Sequence, residues 1–113
     1  MNYSVSTFPC FDREAKKLAK RYKSFKRDLL EFVNYLLSHP EAGVPLGHNL
    51  RKVRMSIADK GKGKSGGARV ITYTVIVSKM EADIKLLTIY DKSDRETISD
   101  AELMSLMKSN GLV

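Results

Sequence analysis

Between Lys60 and Val77 the chain changes character within a few residues. Lys60, Lys62 and Lys64 alternate with Gly61 and Gly63, Ser65 and two more glycines follow, and no acid interrupts them. From Arg69 onward the run becomes Arg-Val-Ile-Thr-Tyr-Thr-Val-Ile-Val, almost wholly β-branched or aromatic. Glycine-rich basic segments favour loops, and β-branched runs favour strands. The segment therefore predicts a cationic loop feeding a strand over 70–77, so a β-sheet has to be built around it.

The flanking residues supply that sheet. Val53, Met55 and Ile57 alternate with Lys52, Arg54 and Ser56. A strand over 51–57 hides the apolar trio and presents Lys52 and Arg54 side by side. Ile84 to Tyr90 is nearly all apolar, which predicts a central strand covered on both faces. Residues 79–83 and 91–96 are polar turns, and strands joined by short turns pair antiparallel.

Earlier in the chain, Tyr3, Val5 and Thr7 give a short strand ended by Pro9. Phe11, Ala15, Leu18, Ala19 and Tyr22 share one face of a helix. Ser24 is placed to cap a second helix with an apolar face of Phe25, Leu29, Phe32, Val33, Leu36 and Leu37, stopped by Pro40. Residues 41–49 form a loop. Ser99 and Glu102 make a capping box, Ile98 and Leu103 a hydrophobic staple, and Gly111 a stop for a last helix. The expected architecture is α+β: one domain over 1–113, with an N-terminal helical hairpin on one face of a small antiparallel sheet and a C-terminal helix.

A chain of 113 residues with 42% hydrophobic content supports one core. No apolar run approaches the roughly 18 residues of a membrane span, and no basic-then-apolar leader is evident. The single cysteine, Cys10, is best read as a buried apolar residue. With two histidines it makes no zinc set, so neither metal nor other cofactor is expected, and a cytoplasmic location is. His39, ahead of Pro40, suits a helix end. His48 is the weaker candidate for acid–base work.

The net charge of +7 is unevenly placed. Residues 12–28 and 50–69 carry a surplus of five and six positive charges, whereas 29–49 and 70–113 are each two negative. The first block reads as a solvated helix face. The second suggests a nucleic acid or an acidic partner. Gly63-Lys64-Ser65 matches the end of a phosphate-binding P-loop, but that motif needs glycine where Ala58 stands and a helix where a strand follows. Clustered carboxylates for a two-metal nuclease are absent from the basic block. Phosphodiester chemistry here would rest on cations, with arginines clamping phosphate oxygens and a lysine moving a proton.

Three runs together resemble the RelE/ParE superfamily of bacterial toxins, closest to the HigB-like branch of RelE. They are Leu50-Arg51-Lys52-Val53-Arg54-Met55, the Lys60–Tyr73 run, and Leu86-Leu87-Thr88-Ile89-Tyr90 with Lys92. The resemblance implies a RelE-like fold and the toxin of a type II toxin–antitoxin pair, which cuts mRNA in the ribosomal A site without metal. The implied partners are a cognate antitoxin, the ribosome and mRNA, with no membrane. It places catalytic roles at Lys52, Arg54, Arg69 and Lys92, and RNA contacts at Lys60, Lys62, Lys64 and Tyr90. Ser93 stands where the RelE type has a second arginine, and the C-terminal base-stacking aromatic has no counterpart. Two other functions fit the same fold: a ParE-like inhibitor of DNA gyrase, and a catalytically inactive member that binds RNA or its antitoxin.

Overall fold

The computed structural model describes residues 1–61 and 66–113. The expected loop lysines Lys62 and Lys64 lie outside the described residues. Chain order is β1 (Asn2–Thr7), α1 (Pro9–Arg21), α2 (Phe25–Ser38), β2 (Val44–Gly47), β3 (Leu50–Met55), a single 3-10 turn (Ala58–Lys60), β4 (Ala68–Ile76), β5 (Glu81–Asp91) and α3 (Asp100–Ser109). The protein is α+β, with three helices and a five-stranded mixed sheet among the described residues, in the order β1-β5-β4-β3-β2.

The central strands follow their sequence pattern. Val53, Met55 and Ile57 are buried at 1–3% exposure, so the phase of β3 is as its alternation requires. β5 lies between β1 and β4, and from Ile84 to Asp91 only Lys85 escapes burial. The capping box also forms: the Glu102 amide donates to Ser99 Oγ at 3.1 Å. Cys10 is buried, with its Sγ 2.7 Å from the Leu87 carbonyl.

Four features depart from expectation. The sheet is not wholly antiparallel, because β1 pairs parallel with β5, from Asn2 opposite Glu81 to Thr7 opposite Leu86. Such a pairing needs a long crossover, here the two helices and three strands between them. The expected loop over 41–49 contains β2, an edge strand where Pro45 is tolerated. β2 joins β3 through His48 and Asn49, both with positive φ (55° and 65°), so His48 is a turn residue. Ser24 occupies the cap position of α2, yet its hydroxyl donates to Asp28 Oδ2 and accepts from the Asp59 amide instead of capping the helix.

The fourth departure positions the functional site. Helices α1 and α2 cover one face, where Phe11, Leu18, Phe25, Phe32 and Leu36 pack on Val53, Met55, Val70, Ile84 and Ile89. The opposite face is not bare. Ile98, Leu103 and Met107 from the α3 region pack there on Leu50, Ile71, Leu87 and Tyr90. α3 covers only part of this face, leaving the side nearest the end of β3 open.

No helix among the described residues is long and apolar enough to cross a membrane.

Candidate nucleic-acid interface

Antiparallel register places Arg54 of β3 directly opposite Arg69 of β4. Lys52 is two residues along the same strand and therefore on the same face. Lys92 follows β5, and its amide is fixed by the Gly67 carbonyl at 3.0 Å. All four side chains line one open cavity of about 440 Å³, together with Tyr35, Val44, Val53 and Glu96. The four residues assigned catalytic roles in the sequence thus meet in one concavity.

Two glycines allow this approach of backbone to backbone. A Cβ on Gly43, whose φ is +91°, would strike the Lys52 carbonyl oxygen. A Cβ on Gly67 would strike the Met55 carbonyl oxygen. Both sites therefore exclude any larger residue while β3 keeps its place.

The cavity holds four cations and one carboxylate, Glu96, among the described residues. Among the described residues no ion pair reaches Lys52, Arg54 or Lys92. The Lys52 ammonium donates to Thr97 Oγ1 and that of Lys92 to the Glu96 carbonyl, each at 3.4 Å. Arg69 is only 6% exposed, a buried residue within β4 and not a surface one at its mouth, and it donates to the Ala68 carbonyl at 3.2 Å. Like charges directly opposite across two strands destabilise a sheet. Bidentate geometry suits arginine to phosphate oxygens.

Two of the expected RNA contacts lie elsewhere. Lys60 does not face the cavity. Its side chain is 5% exposed, and its ammonium pairs with Asp91 and donates to Ser93 Oγ (2.8 Å) and the Gly67 carbonyl (3.2 Å). Asp91 also accepts from Tyr22 Oη, from Arg21 at 3.0 Å and from the Ser93 amide at 2.8 Å. Burial alone would push the Asp91 carboxyl up, but hydrogen bonds from Lys60, Tyr22, the Ser93 amide and Arg21 hold it far below the ordinary carboxylate range. Asp91 is thus the partner of a lysine from the basic block.

Tyr90, although opposite Arg69 in register, is 9% exposed and belongs to the core under α3. It lines a separate cavity of about 340 Å³ with Cys10, Arg13 and Glu102, and the Arg95 guanidinium lies 5.6 Å from its ring centroid. The basic cavity's aromatic wall is Tyr35 from α2 instead. Its ring stacks on His39, with centroids 4.5 Å apart and planes 20° from parallel. His39 also meets the Tyr35 carbonyl through Nδ1 at 3.2 Å, in keeping with a helix-end role. Tyr35 and Glu96 are the site residues that sequence reasoning missed. The available signal for Tyr35 was an aromatic lying off the apolar stripe of its helix.

Among the described residues no group of three or more His, Cys, Asp or Glu is arranged to hold a metal ion. No protein-family model matches this chain, and no curated protein matches it.

Proposed function

We propose that this protein is a ribosome-dependent mRNA endonuclease, the toxin of a type II toxin–antitoxin pair with a RelE-like fold, nearest the HigB-like branch. The observation that carries the reading is the convergence of Lys52, Arg54, Arg69 and Lys92 on one cavity, with two arginines opposed and, among the described residues, no carboxylate paired to Lys52, Arg54 or Lys92. The resemblance of residues 50–92 to RelE toxins supports it from the sequence side.

In this reading the RNA 2′-oxygen attacks its own adjacent phosphorus. The bond from phosphorus to the 5′-oxygen breaks, leaving a 2′,3′-cyclic phosphate and a 5′-hydroxyl. Arg54 and Arg69 hold the non-bridging oxygens as the phosphorane gains charge. Glu96, the carboxylate on the cavity wall, takes the 2′ proton, and a lysine ammonium protonates the departing 5′-oxygen. Preorganised charge contacts of this kind contribute about 3 kcal/mol each to a transition state. A cognate antitoxin neutralises the protein by covering the cavity, and the location is the cytoplasm, where translating ribosomes are found.

The test is induced expression with and without a neighbouring antitoxin gene, followed by mapping of mRNA ends. Cuts within translated codons, lost with Arg54→Ala, are expected. DNA damage with intact mRNA would instead indicate gyrase inhibition, and unaltered growth a protein without toxic activity.

A further inference from the structure

Resting on that reading, we propose that Lys60 is a positioning residue for Lys92: it sets the rate of cleavage through the turn that carries Lys92 and touches no RNA. The Lys60 side chain is 5% exposed and ends in an ammonium, which has three donors. Each donor has an acceptor: the Asp91 carboxylate, Ser93 Oγ at 2.8 Å and the Gly67 carbonyl at 3.2 Å. These acceptors belong to the end of β5, the turn after it and the residue that leads into β4. One buried cation therefore joins three stretches of chain, and Lys92 stands between two of its acceptors in sequence.

The bonds around Lys92 close on the same groups. Its amide donates at 3.0 Å to the Gly67 carbonyl, the oxygen that also accepts from Lys60. The Ser93 amide donates to Asp91 Oδ1, which likewise accepts from Lys60. Lys92 is thus held on both sides, and its own side chain lines the basic cavity, with the ammonium 3.4 Å from the Glu96 carbonyl.

Asp91 divides its two oxygens between two tasks. Oδ1 serves the turn, through Lys60 and the Ser93 amide. Oδ2 serves the helices, accepting from Arg21 and from Tyr22 Oη. Loss of the Lys60 ammonium removes a donor from Asp91 Oδ1, the Gly67 carbonyl and Ser93 Oγ at once. It leaves the turn to the backbone amides of Lys92 and Ser93. A reacting group displaced by about 1 Å can cost about a hundredfold in rate, so a looser turn under Lys92 slows cleavage without removing any group from the cavity.

The test is cleavage of one defined mRNA by equal amounts of folded protein at varied ribosome concentration. It compares the wild type with Lys60→Met, Tyr22→Phe, Lys92→Ala and the Lys60→Met, Lys92→Ala double variant. Lys60→Met should lower the maximal rate about tenfold, with the half-saturating ribosome concentration unchanged. In the Lys92→Ala background the same substitution should change nothing further, because there is no ammonium left to misplace. Tyr22→Phe, which loosens Oδ2 and spares Oδ1, should cut at the wild-type rate. Hydrogen exchange gives a second measure that needs no activity: the Lys92 amide should exchange about tenfold faster in Lys60→Met, while the amides of β5 keep their protection. Equal slowing by Lys60→Met with and without Lys92, or an unaltered Lys92 amide, overturns this inference and leaves the nuclease reading standing. So does a raised half-saturating concentration at an unchanged maximal rate, the sign of an RNA contact by Lys60 itself. Absence of any cutting by the wild-type protein overturns both.

Discussion

Two places in this protein gather positive charge, and they are organised in opposite ways. Around Asp91, Lys60 and Arg21 converge on one carboxylate of no exposure, with Tyr22 and the Ser93 amide completing its hydrogen bonds. Around Arg54, positive side chains converge on an open space, and Arg54 and Arg69 face one another across two strands. The first cluster is internally neutralised and binds chain segments together. In the second, no ion pair reaches Lys52, Arg54 or Lys92 among the described residues. Both draw on the same basic stretch of sequence, so the difference lies in whether the fold brings an acid to the cation.

The largest expected effect breaks the paired cluster. Asp91→Asn leaves Lys60 buried without its counter-ion, and removing one partner of a buried pair costs about 3 to 5 kcal/mol. Thermal or denaturant unfolding measures it. Such a loss would unfold a marginal domain, so Lys60→Met is the milder companion. It leaves Asp91 with Arg21, Tyr22 and Ser93 and should destabilise less. An Asp91→Asn protein as stable as the wild type would show that the pair contributes nothing.

The open cluster should respond in activity instead. Arg54→Ala is expected to slow mRNA cleavage by about a hundredfold, equivalent to about 3 kcal/mol of transition-state stabilisation, while the fold persists by circular dichroism. Because Arg69 is buried, Arg69→Lys is the cleaner change there. It keeps charge and stem but gives up the planar fork, and cleavage should fall while the protein stays folded.

The two clusters should also differ with pH. The Asp91 carboxyl is held below its ordinary value of 3.8. Its contribution to stability is therefore complete above that value in the unfolded chain and is lost as pH falls below it toward the folded value. Unfolding monitored between pH 5 and 2, as approximate limits, should show a steeper decline in the wild type than in Asp91→Asn. Equal slopes would place the acid sensitivity elsewhere.

The smallest effect has the opposite sign. Relieving the opposed arginines by Arg54→Ala should raise stability by about 0.2 to 1 kcal/mol in low salt, and less as salt screens the pair. A loss of stability would mean that Arg54 supports the fold and is not held against it.

Much of this contrast was visible in the sequence only in part. The alternation of Val53, Met55 and Ile57 with Lys52 and Arg54 fixed the phase of β3, because a period of two leaves one face for the core. Ser99 and Glu102 fixed the start of α3, because a capping box is local. The pairing of Lys60 with Asp91 was not legible, since 31 residues separate them and no periodic signal links a loop lysine to the end of a strand. Tyr90 was misplaced for a similar reason. Its register partner is Arg69, but α3 folds over that part of the face and takes the ring into the core. β2 was hidden by Pro45 and by a His48-Asn49 turn without glycine at either central position. The parallel return of β1 to β5 depends on the whole crossover between them.

The central claim is that the cations around Arg54 act on RNA phosphate. It is tested most directly by cleavage of one defined mRNA in a reconstituted translation reaction, comparing the wild type with Arg54→Ala. The account predicts cut fragments ending in 2′,3′-cyclic phosphate, formed about a hundredfold more slowly by the variant. Intact mRNA with the wild-type protein, or equal rates from the two, would contradict it.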